Sequence, residues 1–347
     1  MSRLGLHRSR HAGTPGWKDT IVPLTVIRAV LALALSLLAA THGADAQTTA
    51  KIARLGVLLF STPEGDPNLA AFRRRLGELG YVEGTNLTTV YRSAEGKPER
   101  LAELARELVA LKPDVIFAMG GDVAPFARTA TNSIPIVMAV SNDPVRAGLV
   151  STLARPGGNM TGVTFISSEL VGKRLQFLKE AAPRISRVAV LWNPDHVDPE
   201  YAETHASGRT LGVHVQSLEV RGPPDFEGAF QAADEGRAEA VIVVSSRLMT
   251  FSRQRIIELA ARRRLPVVSG WGPWAQAGAL LSYGPDLDAS VHRAAAHVDR
   301  VLKGAAPATL AVEQPTKFEL VINLRVATAL GLTIPPSLRA QATRIIE

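Results

Sequence analysis

The feature that most constrains this chain is an alternation repeated along its length: short, continuously apolar, β-rich runs separated by amphipathic helical patterns. Runs such as Ile52–Phe60, Asp114–Met119 and Ile134–Val140 are apolar on both faces, as strands buried inside a parallel sheet must be. Between them, Leu69, Phe72, Leu76 and Leu79 recur at helical spacing after Pro67, and Leu101, Leu104, Leu108 and Leu111 form a second stripe after Pro98. Asn86–Tyr91 supplies a further strand.

The pattern then restarts. Strands are expected at Arg187–Trp192, Val213–Val220, Ala240–Val244, Pro266–Ser269 and Ala279–Tyr283. Helices are expected near Pro199–Leu211, Asp225–Gly236 and Ser252–Arg264. Two successive β-α-β-α-β runs, each near 120 residues, predict two similar α/β lobes, with a parallel sheet covered by helices in each. A long helix follows at Leu287–Leu302, then a strand-like Phe-Glu-Leu-Val-Ile run and a helix closed by Gly331, a tail expected to cross back and pack on both lobes.

The first residues carry a different signal. Arg3, Arg8, Arg10, Lys18 and Arg28 precede an apolar run, Ala29–Ala40, and Ala44-Asp45-Ala46 follows with the small-x-small spacing of a signal-peptidase site. The run is shorter than the ~20 apolar residues of a spanning helix, so residues 1–46 are expected to be a cleaved signal peptide and the mature chain periplasmic. That segment holds five basic and two acidic residues, so its removal lowers the formal net charge from +7 to +4. A surplus this small points away from nucleic acid, and the Arg73-Arg74-Arg75 and Arg262-Arg263-Arg264 runs read as solvated helix faces. Cysteine is absent, so stability must come from the core rather than from disulfides, and the acceptor for a lipid anchor is missing.

In open parallel sheets, ligands bind beyond the carboxyl ends of the strands. Here those positions are polar: Ser61-Thr62-Pro63-Glu64, Gly120-Gly121-Asp122 and Ser141-Asn142-Asp143-Pro144 in the first half, and Asn193-Pro194-Asp195, Ser245-Ser246-Arg247 and Gly270-Trp271-Gly272 in the second. Each loop alone fits a helix cap; together, at one edge in both halves, they predict a polar cleft. The expected site residues are Ser61, Thr62, Gly121, Asp122, Ser141, Asn142 and Asp143 from the first lobe, facing Asn193, Ser246, Arg247 and Trp271 from the second. A small zwitterion or carboxylate would find amides and hydroxyls at Gly121-Asp122 and Ser61-Thr62, a carboxylate at Asp143 or Asp122, and a bidentate partner in Arg247. Trp192, Trp271 and Trp274 sit at strand ends or in loops, as packing or as an apolar cleft wall.

Catalytic signatures are missing. There is no G-x-G-x-x-G after the first strand, no phosphate-binding G-x-x-x-x-G-K-[ST] and no G-x-S-x-G. His196, His205, His214, His292 and His297 read as surface or capping residues. No catalytic residue, metal or cofactor is expected.

Several longer stretches resemble the solute-binding proteins of ABC importers, in the subfamily related to the binders of tryptophan and other aromatic amino acids. They are Gly80-Tyr81-Val82-Glu83-Gly84 with Asn86, Asp143-Pro144-Val145, and Ala154-Arg155-Pro156-Gly157-Gly158-Asn159 with Thr161-Gly162. Further on come Leu281-Ser282-Tyr283-Gly284-Pro285-Asp286 and Glu313-Gln314-Pro315-Thr316-Lys317-Phe318-Glu319-Leu320-Val321-Ile322-Asn323-Leu324. The resemblance spans about residues 51–347 and implies a type I periplasmic-binding-protein fold, with two Rossmann-like lobes joined by a three-segment hinge. Lobe one is expected at 51–162 plus 286–304, and lobe two at 163–283 plus 313–347. The chain departs from the pattern at Trp271-Gly272-Pro273-Trp274 and Gly278-Ala279, where relatives carry Phe or Tyr followed by a Gly-Gly pair. The resemblance implies a monomeric receptor that takes an amino acid or related carboxylate and delivers it to a membrane permease. A ligand-sensing module for a membrane receptor is the alternative. A lactose-repressor-type regulator would need an N-terminal helix-turn-helix where the signal peptide stands.

Overall fold

The computed structural model describes residues 23–25, 28, 52–64, 66–165, 168–196 and 199–347. The signal-peptide expectation, whose apolar run and cleavage site fall at 29–46, lies outside the described residues. Both sheets belong to the unit Ile52–Glu347.

The first sheet has the order β2-β1-β3-β4-β5 and is parallel throughout. Its strands are β1 (Ala53–Leu59), β2 (Leu87–Ser93), β3 (Val115–Met119), β4 (Ile136–Val140) and β5 (Met160–Thr164). Helices α1 (Pro67–Glu78), α2 (Leu101–Ala110) and α3 (Ala124–Ala130) connect the first four strands. Every residue of β3 and β4 is buried, which accounts for the unbroken apolar runs in the sequence.

The second sheet is built from β6 (Arg187–Trp192), β7 (His214–Glu219), β8 (Ala240–Val243), β9 (Val267–Ser269), β10 (Leu281–Pro285), β11 (Phe318–Asn323) and β12 (Arg344–Ile346). Its order is β12-β11-β10-β9-β8-β6-β7, and β11 runs antiparallel to β10. Along β6, Ala189 and Leu191 join one apolar cluster while Val188 and Val190 join another, as the two-residue period of a strand buried on both faces requires. The helices of this part are α4 (Val171–Ala181), α5 (Glu200–Thr210), α6 (Asp225–Glu235), α7 (Arg247–Phe251), α8 (Arg253–Arg262) and α9 (Gly272–Ala277).

The chain passes between the sheets three times. It leaves the first sheet after β5, returns after β10 as α10 (Leu287–Leu302), which packs on α1, β3, β4 and β5, and goes back before β11. On that last passage Glu313 forms a parallel bridge with Val163, and the Gly157 amide donates to the Ala308 carbonyl at 3.1 Å. The tail ends with α11 (Leu324–Ala329) and α12 (Pro336–Gln341) before β12. Sequence patterning left β5, α4, α7, α9, α12 and β12 unassigned. Apart from α4, these elements are only three to six residues long, too short to show a period.

Candidate functional site

At the carboxyl ends of β3, β4, β8 and β9, the loops of the two sheets meet around a cavity. Its apolar wall comes from Met119, Phe165, Trp271, Trp274, Leu287 and Val291. Asn68, Asp122, Ser141, Ser246, Thr250 and Arg253 bring polar groups to it. Trp271 and Trp274 are buried, and Trp271 stands edge-on to Phe165, with ring centroids 5.2 Å apart. The tryptophans are therefore wall rather than distant core, and Trp274 belongs to α9 rather than to a loop. Trp192 is elsewhere, stacked on Tyr201 at 4.5 Å.

Local sequence explains how these groups are aimed. Ser246 caps α7, its Oγ accepting from the Met249 amide at 3.3 Å, and the next residue, Arg247, reaches the first sheet. Asp66 caps α1 ahead of Pro67, its Oδ1 accepting from the Asn68 amide at 3.0 Å. The guanidinium of Arg247 meets the other oxygen of Asp66, which also accepts from Ser61 Oγ at 3.0 Å. The backbone amide of Arg247 donates to Asp122 Oδ2 at 3.0 Å. Ser141 Oγ donates to the Ser245 carbonyl at 3.3 Å and lies 3.3 Å from His196 Nε2. The first-sheet loops are thereby tied to the second-sheet loops by side chains from both.

Gly120 and Gly121 permit this approach. A Cβ on Gly120, whose φ is +125°, would come within 2.5 Å of Arg247 Cγ; one on Gly121 would come within 2.7 Å of His196 Cε1. The space between the walls is about 40 Å³, well below the ~150 Å³ of a cavity that admits a benzene ring. A ring-bearing molecule enters only if the walls part.

The cavity brings together Gly121, Asp122, Ser141, Ser246, Arg247 and Trp271 of the residues singled out in the sequence. Ser61 stands behind Arg247, bonded to Asp66. Four others lie off the wall. Thr62 is half-buried beside Ser61. Asn142 is buried and its carbonyl accepts from Thr164 Oγ1 at 2.8 Å. Asn193 Oδ1 accepts from the Asp195 amide at 2.9 Å, closing its own turn. Asp143 Oδ1 accepts from the Val145 and Arg146 amides at 2.8 and 3.3 Å, and its side chain lines a separate polar groove with Arg146, Glu169 and Glu203.

The histidine reading needs correction. His196 is buried at the junction of the sheets, and His297 is buried with its ring nitrogens 3.1 Å from the Arg293 and Ala311 carbonyls. Neither is a surface residue; the packing that buries them is long-range and leaves no local pattern.

Sequence reasoning missed Asp66, whose Asp-Pro pair looks like any helix start, and Arg253. Arg253 opens α8, where the helix dipole disfavours a cation, and that misplacement was the available signal. Arg253 is half-buried, and burial pushes its guanidinium below its ordinary range.

Among the described residues no helix is long and apolar enough to cross a membrane, and no cluster of three His, Cys, Asp or Glu could hold a metal ion.

Comparison with known proteins gives a consistent result. The family model described as ABC transporter substrate binding protein matches residues 58–346. A tyrosine-binding protein of Clostridioides difficile (strain R20291) is 25% identical over 276 residues, covering 79% of each chain. Among solved structures, a conserved domain protein from Vibrio cholerae superposes with a TM-score of 0.79 at 29% identity, over 85% of this chain and 100% of its own. An ABC domain from Streptococcus pneumonia in complex with L-Trp also gives 0.79, at 24% identity, over 85% of this chain and 99% of its own.

Proposed function

Because the chain belongs to the ABC transporter substrate-binding protein family, we propose that it captures a small solute, an amino acid or related carboxylate, in the cavity between its sheets and delivers it to a membrane permease. The observation that carries this reading is the cavity itself, with an apolar aromatic wall, polar groups set around it, and contributions from both sheets. Gly121, Asp122, Ser141, Ser246, Arg247 and Trp271 are the proposed contacts, joined by Arg253 and Asn68. The relative named for tyrosine binding and the L-Trp complex support an amino-acid ligand. On this reading the protein catalyses nothing, and it works as a periplasmic monomer after removal of residues 1–46.

Capture requires motion. The lobes, taken as 51–162 plus 286–304 and 163–283 plus 313–347, part and close about the three passages of chain. The ligand favours the closed state only through contacts made in both lobes.

A thermal-shift screen over amino acids, small carboxylates, sugars and nucleosides tests the reading. A ligand at 100 times its dissociation constant adds ~2.7 kcal/mol, an upward melting shift expected from a carboxylate-bearing solute. A screen in which sugars or nucleosides alone raise the melting temperature would reject the proposed ligand class; no shift with any class would reject solute capture.

A further inference from the structure

The Arg73-Arg74-Arg75 run, which reads in the sequence as a solvated helix face, is not uniform in the structure. Arg74 pairs with Asp288 and Arg75 with Glu78, each at 2.9 Å. Arg73 instead donates from Nε to Tyr91 Oη at 2.9 Å, and its guanidinium lies over the Tyr91 ring, 4.8 Å from the centroid. Among the described residues no carboxylate pairs with Arg73, and its two terminal nitrogens make no hydrogen bond. They stand at the rim of a second pocket, between α1 and the β1–β2 edge of the first sheet.

That pocket holds about 350 Å³, several times the space between the two sheets and within the ~300–1,000 Å³ of small-molecule sites. Its floor follows from the strand period. Leu87, Thr89 and Tyr91 share one face of β2, and Leu55 on β1 is in register with Thr89. Leu55 and Leu87 form the floor with Phe72 and Leu76 of α1, and all four are buried. Phe72 is already stacked on Phe117, ring centroids 4.1 Å apart, so the surface left for a ligand is mainly leucine. The other polar groups are committed. The Glu83 oxygens accept from the Thr89 amide at 2.8 Å and the Thr89 hydroxyl at 2.7 Å. The Tyr81 hydroxyl donates to Asp299 at 3.0 Å. What remains is one unmatched cation at the mouth of an aliphatic pocket.

We infer that this pocket binds an alkyl monocarboxylate, its chain against the leucines and its carboxylate on the terminal nitrogens of Arg73. A guanidinium matches a carboxylate with parallel N–H···O bonds, and two terminal nitrogens suffice for them. An alkyl chain removes leucine surface from water without needing a free aromatic face. An alkylamine would set its ammonium against Arg73, and a dicarboxylate would bring its second charge among the leucines or beside Glu83. An α-amino acid fails for the same reason as the amine. The pocket belongs to the first sheet alone, so its occupation needs no movement of the sheets against each other and does not depend on solute capture.

Octanoate is the probe, titrated calorimetrically beside octanol, which carries the same chain without the charge. Octanoate is expected to bind saturably and ~10-fold or more tightly than the alcohol, the worth of a hydrogen bond to a charged group. In Arg73→Gln that advantage is expected to vanish, while the melting temperature and the binding of the tightest solute from the screen stay unchanged. Leu76→Trp, which fills the pocket from α1, is expected to remove the binding of both probes. Equal affinity for octanoate and octanol in the wild type would overturn the assignment, as would an unchanged octanoate affinity in Arg73→Gln. Competition between octanoate and the screened solute would overturn it too, because octanoate would then occupy the cavity between the sheets. So would the lack of saturable binding at millimolar concentration, or undiminished binding by Leu76→Trp. If Leu76→Trp fails to fold, the comparison of octanoate with octanol in Arg73→Gln decides.

Discussion

Arg174 and Arg247 each reach a buried carboxylate, yet the two pairs sit in different mechanical settings. Arg174 and Glu200 join α4 to α5 within the second lobe, with both side chains fully buried. Arg174 Nε also donates to the Tyr283 carbonyl at 2.8 Å, and the other Glu200 oxygen accepts from the Ser245 amide at 3.1 Å. Arg247 and Asp66 join the second lobe to the first, and the Arg247 side chain is 11% exposed. The first pair cannot separate unless its lobe unfolds. On the proposed capture motion, the second separates as one lobe rotates against the other, with water taking over both charges. On the proposed closure the same chemistry serves as a frame in one place and as a releasable latch in the other, and only what surrounds the pair decides which.

Mutation should break this contrast. Arg174→Ala leaves Glu200 buried and unmatched, a loss of about 3–5 kcal/mol, checked by chemical denaturation. Replacing both partners by apolar residues of similar volume is expected to recover most of that loss; a double variant as unstable as the single one would show that the pair itself is not the cause. Arg247→Ala should cost less, because parting of the lobes on the proposed closure can hydrate the Asp66 carboxylate. Asp66 keeps its bonds to Ser61 and Asn68. Its main effect is expected in shape, as a larger radius of gyration by small-angle scattering. A stability loss equal to that of Arg174→Ala, without expansion, would make the two pairs equivalent.

The smallest effect is expected at a third site, wholly within the first lobe. Tyr81 Oη donates to Asp299 Oδ1 at 3.0 Å, tying the turn after α1 to α10. Burial first, then the Asp299 carboxylate, pushes the hydroxyl up to about 12 from 10.0. A pKa raised by folding contributes stability that is complete below the unfolded value and lost as the pH climbs through the folded one. Wild type is therefore expected to lose its small advantage over Tyr81→Phe between pH 10 and 12. Denaturation midpoints of the two proteins that stay parallel across that range would contradict it.

The α/β alternation was legible because strands buried on both faces must be continuously apolar and their covering helices striped. Arg187–Trp192 and Leu287–Leu302 fall where the sequence places them. The polar loops at the strand ends were legible too, since chain direction in a parallel sheet puts them at one edge. What each polar residue does there was not. Asp143 and Asn193 close their own turns, while Asp66, which reads as a plain cap, pairs with Arg247 from the other sheet. Ser, Asn and Asp suit both roles, and the choice is made by a partner more than a hundred residues away, as Arg247 is from Asp66 and Asp122. Arg253 escaped notice because a cation on a helix ordinarily means solvent.

Closure of two lobes around the cavity is the central claim, and a distance between the lobes tests it most directly. The sequence has no cysteine, so spin labels can be placed singly at Arg106→Cys on α2 and Gln231→Cys on α6, both exposed and on opposite lobes. Double electron–electron resonance should give a distribution that shifts and broadens in the Arg247→Ala background, and returns to a narrow closed-state distance with the tightest-binding amino acid at saturation. A distribution indifferent to both the latch variant and the ligand would contradict the account, because the lobes would then form one rigid body with no capture motion.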